Sequence, residues 1–177
     1  MVTALFRRLL GPAIDGLAPS LRAVHDEDDD QVWKGLAEIR ASDNPFARLL
    51  CRIMRLPARG SGVPVTVRFE RRGDAKHWHR RFGDRQYRST LQIRHGRLIE
   101  RMGPAANSFD VSVLDGALHM DLVGFRFLGV PLPRWARPAC HAVEQGQDRE
   151  FRFDIPVDLP LFGRVIHYRG RLERIDD

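Results

Sequence analysis

Hydrophobic and polar residues alternate with a period of two over most of the chain after residue 62. In residues 63–70, valine and phenylalanine take every second position, and threonine, arginine and glutamate lie between them. The alternation returns in residues 78–82, 87–94, 98–102, 109–113, 118–127, 141–144, 150–157 and 164–174. Successive side chains of a strand point to opposite faces, so the pattern predicts a series of strands with one buried face each.

Turn residues separate these segments at short intervals. Asp115-Gly116 is typical of a β-hairpin, and glycines in similar positions follow the other segments: Gly73, Gly83, Gly96 and Gly103. Residues 32–40 add a first strand, because Trp33, Ala37 and Ile39 share one phase. The total is about ten strands at hairpin spacing, which indicates an antiparallel sandwich or a closed barrel.

One helix is predicted within the strand series, at residues 44–56. Asn44 is a good N-cap, Pro45 suits the first helical turn, and Pro57 ends the helix. The apolar stripe predicts that the helix covers one end of a barrel, with three side chains facing inward: Phe46, Leu50 and Ile53.

Residues 1–30 are predicted to form an N-terminal helical segment, and residues 31–177 a single β-barrel domain. Residues 1–10 fit an amphipathic helix better than a signal peptide, because Gly11-Pro12 interrupts the apolar run early. Residues 19–25 predict a second short helix. Without a recognisable signal, we expect a cytoplasmic protein, with Cys51 and Cys140 reduced.

The fold class that these elements favour is mainly β, with a few N-terminal helices. We expect an antiparallel up-and-down barrel of about ten strands, of the lipocalin or calycin type, with a helix inserted after the first strand. The alternative is a helix-grip fold of the START type, in which a curved sheet wraps around a long C-terminal helix. Residues 164–174 alternate as a strand does, which favours the barrel.

Composition and charge limit the classes of partner that this protein is expected to bind. Twenty-nine basic residues face 23 acidic ones, a formal charge of +6, but the arginines are scattered and residues 26–30 form an acidic run. This distribution argues against a nucleic-acid partner. The hydrophobic content of 43% is enough for a core, and no apolar run approaches the roughly 18 residues of a transmembrane segment.

Two charged residues lie in the apolar phase of their strands. Arg80 stands between Trp78 and Phe82, and Glu100 between Leu98 and Met102. A charge that faces a core needs a partner or water. In a meander the two strands flank the one that carries the small Ser89, so the pair is within reach. It either holds the polar group of a ligand or is purely structural. The candidate ligand-binding residues are Trp78, Arg80, Phe82, Tyr87, Ser89, Glu100 and Met102.

No catalytic residue, metal site or cofactor is predicted. His77 and His79 share one strand face, but a third metal ligand is not evident nearby.

Several short motifs, taken in order, resemble the bacterial family called domain of unknown function 4166. They are residues 78–83 (WHRRFG), Ser89, residues 100–104 (ERMGP), 128–133 (LGVPLP), 151–154 (FRFD), 160–163 (PLFG) and 168–172 (YRGRL). The resemblance runs from about residue 17 to residue 172. It implies no established activity, although relatives are often joined to an NAD-binding domain similar to that of saccharopine dehydrogenase. This chain has no Gly-x-Gly-x-x-Gly after a strand, so such a partner would be encoded separately.

The leading hypothesis is a non-enzymatic binding module that holds a small apolar or amphipathic ligand in a barrel cavity. One alternative is an accessory or partner domain of an NAD-dependent oxidoreductase, and another is a structural domain with a filled core. A continuous void above roughly 300 Å³ would favour the first over the last.

Overall fold

The computed structural model describes residues 3–27 and 29–175, and it opens with short helices. These are α1 (Leu5–Leu10), a 3-10 helix (Gly11–Gly16) and α2 (Pro19–His25); α3 (Pro45–Ile53) follows the first strand. The strands are β1 (Gln31–Ala41), β2 (Gly60–Arg72), β3 (Ala75–Phe82), β4 (Arg85–Arg94), β5 (Arg97–Met102), β6 (Ala105–Leu114), β7 (Ala117–Phe127), β8 (Val130–Pro131), β9 (His141–Gln147), β10 (Glu150–Leu159) and β11 (Gly163–Arg174).

Ten of the strands form a closed ring. Consecutive strands pair antiparallel from β1 to β7, then β7 pairs with β9, β9 with β10, β10 with β11, and β11 with β1. The two-residue β8 pairs only with the end of β7. The fold is therefore mainly β, an up-and-down barrel of the lipocalin or calycin type, as predicted. The helix-grip alternative is wrong, because β11 pairs with β1 and closes the sheet.

Two glycines allow the backbones to approach closely where the ring closes. A Cβ atom at Gly35 of β1 would lie 1.9 Å from the carbonyl oxygen of Arg171, and one at Gly170 of β11 would lie 2.6 Å from that of Leu36. No other residue fits such positions without moving the backbone. Glycine at these two sites therefore permits the tight β1–β11 seam.

The N-terminal helices cover one end of the barrel, which we call the closed end. The Ala18 N–H donates to the Gly116 carbonyl in the β6–β7 turn at 3.0 Å. Four apolar side chains of these helices are fully buried: Phe6, Ile14, Leu21 and Val24. They pack on rings from the barrel wall, since Phe6 lies 6.4 Å from Trp78 between ring centroids.

Helix α3 lies at the opposite end, which we call the mouth. Asn44 caps it as predicted, since its Oδ1 accepts from the N–H groups of Phe46 and Ala47 at 2.9 and 3.3 Å. The helix ends at Ile53, three residues before the predicted end. Arg55 then takes a positive φ of 55°, which interrupts the helical turn.

The inward face of α3 differs from the predicted one. Ala47 and Cys51 are its buried residues. Phe46 and Leu50 line the mouth of the interior, but Ile53 is 55% exposed, so its predicted inward position is wrong. The physical reason is that the apolar arc of the helix is wider than the surface it meets. None of the helices in residues 3–27 and 29–175 is long and apolar enough to cross a membrane.

Candidate ligand-binding cavity

The barrel contains a cavity of about 490 Å³ that reaches the mouth. Strands from almost the whole ring contribute apolar side chains to its wall: Trp78, Leu91, Leu98, Phe109, Met120, Leu122, Phe125, Phe127, Ile155, Val157 and Val165. At the mouth the lining comes from α3, the loop before β9 and the β10–β11 turn: Leu50, Met54, Leu132, Trp135, Leu161 and Phe162. Period-two alternation explains this wall, since every second residue of a barrel strand faces the interior.

Arg80 and Glu100 form an ion pair on this wall. Arg80 Nη1 lies 3.1 Å from Glu100 Oε1 and donates to Ser89 Oγ at 2.8 Å. The pair spans β4, and Ser89 is the small residue between them, so the predicted contact is confirmed. Asn107 Nδ2 also approaches Glu100 Oε2, at 3.4 Å. Both charged side chains are largely shielded from solvent.

Aromatic rings hold the Arg80 guanidinium in place. Its Cζ atom lies 4.4 Å from the centroid of Trp78 and 5.4 Å from that of Tyr87, so two π-faces stabilise the cation. Burial by itself lowers the pKa of Arg80, but the nearby Glu100 carboxylate raises it, and the net pKa is above the ordinary value. Arg80 is therefore a permanent cation inside the barrel.

Two buried phenols extend this polar region. Tyr87 and Tyr168 both line the cavity, and burial raises the pKa of each, so both are protonated. The Tyr87 hydroxyl makes no hydrogen bond of good geometry with any described residue. The hydroxyls of Tyr87 and Tyr168 interact with each other inside the cavity.

A second polar pair lies at the closed end of the cavity. His25 Nε2 of α2 lies 2.6 Å from Glu144 Oε2 of β9, and both side chains are fully buried. Burial lowers the pKa of His25 more than Glu144 raises it, so the imidazole is neutral and donates from Nε2. His25 Nδ1 has no hydrogen-bond partner among residues 3–27 and 29–175. Glu144 also lines the cavity.

Sequence reasoning missed Glu144, His25 and Asn107. Glu144 shares the buried phase of Ala142, but a segment of four residues is a weak signal. His25 ends a short helix, where a histidine usually meets solvent. Asn107 lies on β6 opposite Glu100, a pairing that follows from the predicted meander.

The structure brings five of the seven candidate residues to the cavity: Trp78, Arg80, Tyr87, Glu100 and Met102. Phe82 does not line it; its ring stacks parallel to Tyr87 at 6.1 Å and meets Tyr168 edge-on at 5.7 Å. Ser89 is buried and does not line the cavity; its hydroxyl accepts a hydrogen bond from Arg80. Contact of the five with a ligand stays a prediction.

The outward histidines bind their neighbours. His77 Nδ1 lies 3.2 Å from Thr90 Oγ1, and His79 Nε2 lies 3.3 Å from Glu70 Oε2. Within the described part of the chain, no group of three or more histidine, cysteine, aspartate or glutamate side chains is placed to hold a metal ion.

Comparison with protein families gives one match over most of the chain. A family model described as domain of unknown function (DUF4166) matches residues 17–172. The chain belongs to the DUF4166 family. The resemblance predicted from the motifs is confirmed over the same span. No curated protein matches this DUF4166 chain.

Solved structures of other proteins show the same type of fold. A protein of unknown function of the DUF3598 family from Nostoc punctiforme is 17% identical with a TM-score of 0.53, over 82% of this chain and 47% of its own. Rv2717c from M. tuberculosis is 15% identical with a TM-score of 0.50, over 90% of this chain and 99% of its own. The DUF4166 chain thus spans about half of the Nostoc protein and almost all of Rv2717c. At these identities the likeness concerns the fold alone.

Proposed function

We propose that this DUF4166 chain is a non-enzymatic binding module that holds a small apolar or amphipathic molecule inside its barrel. The observation that carries the proposal is the cavity of about 490 Å³ with a mostly apolar wall. Sites for small molecules usually have about 300–1,000 Å³ and a few well-placed polar groups. This volume supports a binding role over a structural domain with a filled core.

The charges of the cavity favour a neutral ligand. Glu100 already neutralises Arg80, and Glu144 adds a carboxylate that faces a neutral His25. An anionic head group would have to displace Glu100 from Arg80 and lie near like charges, which costs free energy at low dielectric. A neutral polar group fits better, since a carbonyl can accept from Tyr87, and a hydroxyl or amide can also donate to Glu100.

Two fluorescent probes test this proposal. The neutral N-phenyl-1-naphthylamine and the anionic 1-anilinonaphthalene-8-sulfonate differ in charge and are similar in shape. We expect the neutral probe to bind with the higher affinity and with one site per chain. Equal binding of both probes would contradict the neutral-ligand argument, and binding of neither would contradict the cavity itself. A native mass spectrum of protein from its own host then identifies any retained molecule.

A pair of neighbouring alanines supplies the matched variants. Ala105 lines the cavity, whereas Ala106 is the next residue on β6 and does not. Ala105→Phe should fill part of the cavity and weaken binding of the neutral probe at least about tenfold, while Ala106→Phe should leave it unchanged. Equal loss in both variants would point to binding outside the barrel.

The role beside an NAD-dependent oxidoreductase rests on the family resemblance alone. We also propose a cytoplasmic location, which is compatible with two unpaired cysteines.

A further inference from the structure

Exposed apolar side chains concentrate at the mouth of the barrel. In residues 3–27 and 29–175, eleven large hydrophobic side chains are exposed. Three lie elsewhere: Leu36, Leu114 and Ile175. The other eight belong to the connections around the mouth: Phe46, Leu49, Ile53, Leu128, Val130, Trp135, Leu161 and Phe162. Exposed apolar side chains concentrated at one end of a molecule mark a surface that contacts a partner or a membrane.

Helix α3 presents an apolar stripe to solvent. Phe46, Leu49 and Ile53 follow a spacing of i, i+3 and i+7, and each is more than half exposed. The adjacent flank carries Arg48 and Arg52, and α3 contains no acidic residue. A helix with an open apolar stripe beside an arginine face is typical of elements that lie in a membrane interface.

Two further segments join this surface. Phe46 stacks on Phe162 of the β10–β11 turn with a centroid distance of 4.8 Å. In that turn Leu161 is 95% exposed, and in the loop before β9 Trp135 is 75% exposed. All four side chains line the cavity mouth. Tryptophan is enriched at the interface between a membrane and water, and phenylalanine and leucine are common on the apolar face of helices that lie in that interface.

The two ends of the barrel carry opposite charge. The mouth connections (residues 42–59, 83–84, 103–104, 128–140 and 160–162) contain two aspartates, Asp43 and Asp84, and six arginines: Arg48, Arg52, Arg55, Arg59, Arg134 and Arg137. The described closed-end segments (residues 3–27, 29–30, 73–74, 95–96, 115–116, 148–149 and 175) contain four arginines and eight acidic residues: Asp15, Asp26, Glu27, Asp29, Asp30, Asp74, Asp115 and Asp148.

The arginines on α3 are available to a partner. The side chains of Arg48 and Arg52 make no ion pair with any residue in the described ranges. Together with Arg55 and Arg85 they border one groove beside the β3–β4 turn, where Asp84 is the acidic residue. Such a cluster fits the phosphate groups of anionic lipids, which attract basic surfaces at the cytoplasmic leaflet.

We propose that the mouth of this barrel docks on an anionic lipid bilayer, with Phe46, Leu49, Ile53, Trp135 and Leu161 inserted at the head-group boundary. The open end of the cavity then faces the membrane, and the acidic closed end points away from it. A role of this docking in loading or releasing an amphipathic ligand rests on the proposed function. The docking itself rests on the exposed rim and its charge.

Vesicle flotation tests the docking. We expect the protein to float with vesicles that contain phosphatidylglycerol in phosphatidylcholine, to bind vesicles of phosphatidylcholine alone at least about tenfold more weakly, and to dissociate at high salt. Binding should shift the emission of Trp135 to shorter wavelength. The shift should be absent from Trp135→Phe, because Trp33 and Trp78 are buried already. Absence of flotation with anionic vesicles would overturn the proposal.

Charge-reversed variants locate the contact. Arg48→Glu with Arg52→Glu should reduce binding to anionic vesicles at least about tenfold. The matched control, Arg88→Glu with Arg101→Glu, changes the charge equally on the outer wall and should bind nearly as the unmodified chain does. Equal losses in both would show attraction by net charge alone and would overturn the proposal. Leu49→Ser with Ile53→Ser tests the apolar stripe and should also weaken binding.

Titration with the neutral probe, without vesicles, separates the two proposals. Probe binding without flotation overturns the docking and leaves the binding function standing. Flotation without probe binding overturns the binding function and leaves the docking standing. Retention of an unidentified protein in place of vesicle binding would mean that the mouth is a protein interface, which also overturns the docking on lipid.

Discussion

The two ends of this barrel use the same kinds of residue in different ways. At the closed end, arginines are paired: Arg7 contacts Asp15 and Asp26, and Arg8 lies 2.9 Å from Asp74. At the mouth, Arg48 and Arg52 extend into solvent beside exposed apolar rings. The closed end thus pairs the arginines of α1 and buries its apolar groups within the chain. The mouth pairs Arg59 with Asp43 but leaves the arginines of α3 and several large apolar side chains exposed, and this is where we expect a partner to supply the missing contacts.

The largest expected difference concerns the aromatic residues of the two ends. Phe6 is fully buried, with its ring 4.3 Å from that of His25, so Phe6→Ala should lower the free energy of unfolding by about 3–5 kcal/mol through the cavity it creates. Phe46→Ala at the mouth should lower it by less than about 1 kcal/mol. Urea denaturation measures both. Similar losses would mean that the mouth is as well packed as the closed end.

The Arg80–Glu100 ion pair, which lies on the barrel wall between the two ends, gives the next largest effect. Glu100→Leu leaves the Arg80 cation without its partner and should cost about 2–4 kcal/mol, near the lower part of the range for a buried pair because the cavity admits water. Glu100→Gln should cost less, since the amide oxygen still accepts from Arg80. Thermal and urea unfolding of the two variants provide the comparison. A larger loss for Glu100→Gln would contradict the role assigned to the pair.

The neutral imidazole at the closed end predicts a pH dependence of stability. The pKa of His25 is lowered in the folded chain, mainly by burial, so below about pH 6.5 the unfolded chain binds the proton first. Stability should therefore be unaffected by His25 above that pH and fall as the pH decreases toward the folded pKa, by up to about 1.4 kcal/mol per pH unit.

Two histidine variants isolate this contribution. His25→Gln retains a donor for Glu144 and should flatten the loss of stability between pH 6.5 and 5. His95→Asn, in the exposed β4–β5 turn, should retain the loss of stability between pH 6.5 and 5. A profile that is the same in His25→Gln and the unmodified chain would exclude His25 as its source.

The smallest expected effect concerns the paired and unpaired arginines. Arg7→Ala removes two contacts that attach α1 to the rest of the closed end and should lower the melting temperature slightly, with the difference shrinking in high salt. The Arg52 side chain makes no ion pair with any described residue, so Arg52→Ala should leave the melting temperature unchanged. If Arg52→Ala were the more destabilising, the mouth arginines would have structural partners of their own.

Much of the barrel was predictable because its signals are local. Period-two alternation and turn residues define each strand and its inward face within about ten residues. The Arg80–Glu100 contact followed from the phases of β3 and β5 and one intervening strand. The predicted helix α3 likewise follows from its cap at Asn44 and its apolar spacing.

The sequence by itself determined strand phase, turn positions and strand order, because these depend on neighbours along the chain. Tertiary structure decided the closure of β11 on β1, the burial of His25 against Glu144, and the position of Phe82 behind the cavity wall. Tertiary structure also decided which part of the α3 apolar arc faces water, because the apolar spacing alone does not distinguish Ile53 from Leu50. These features depend on distances between strands remote in sequence, and only the tilt and closure of the barrel define such distances.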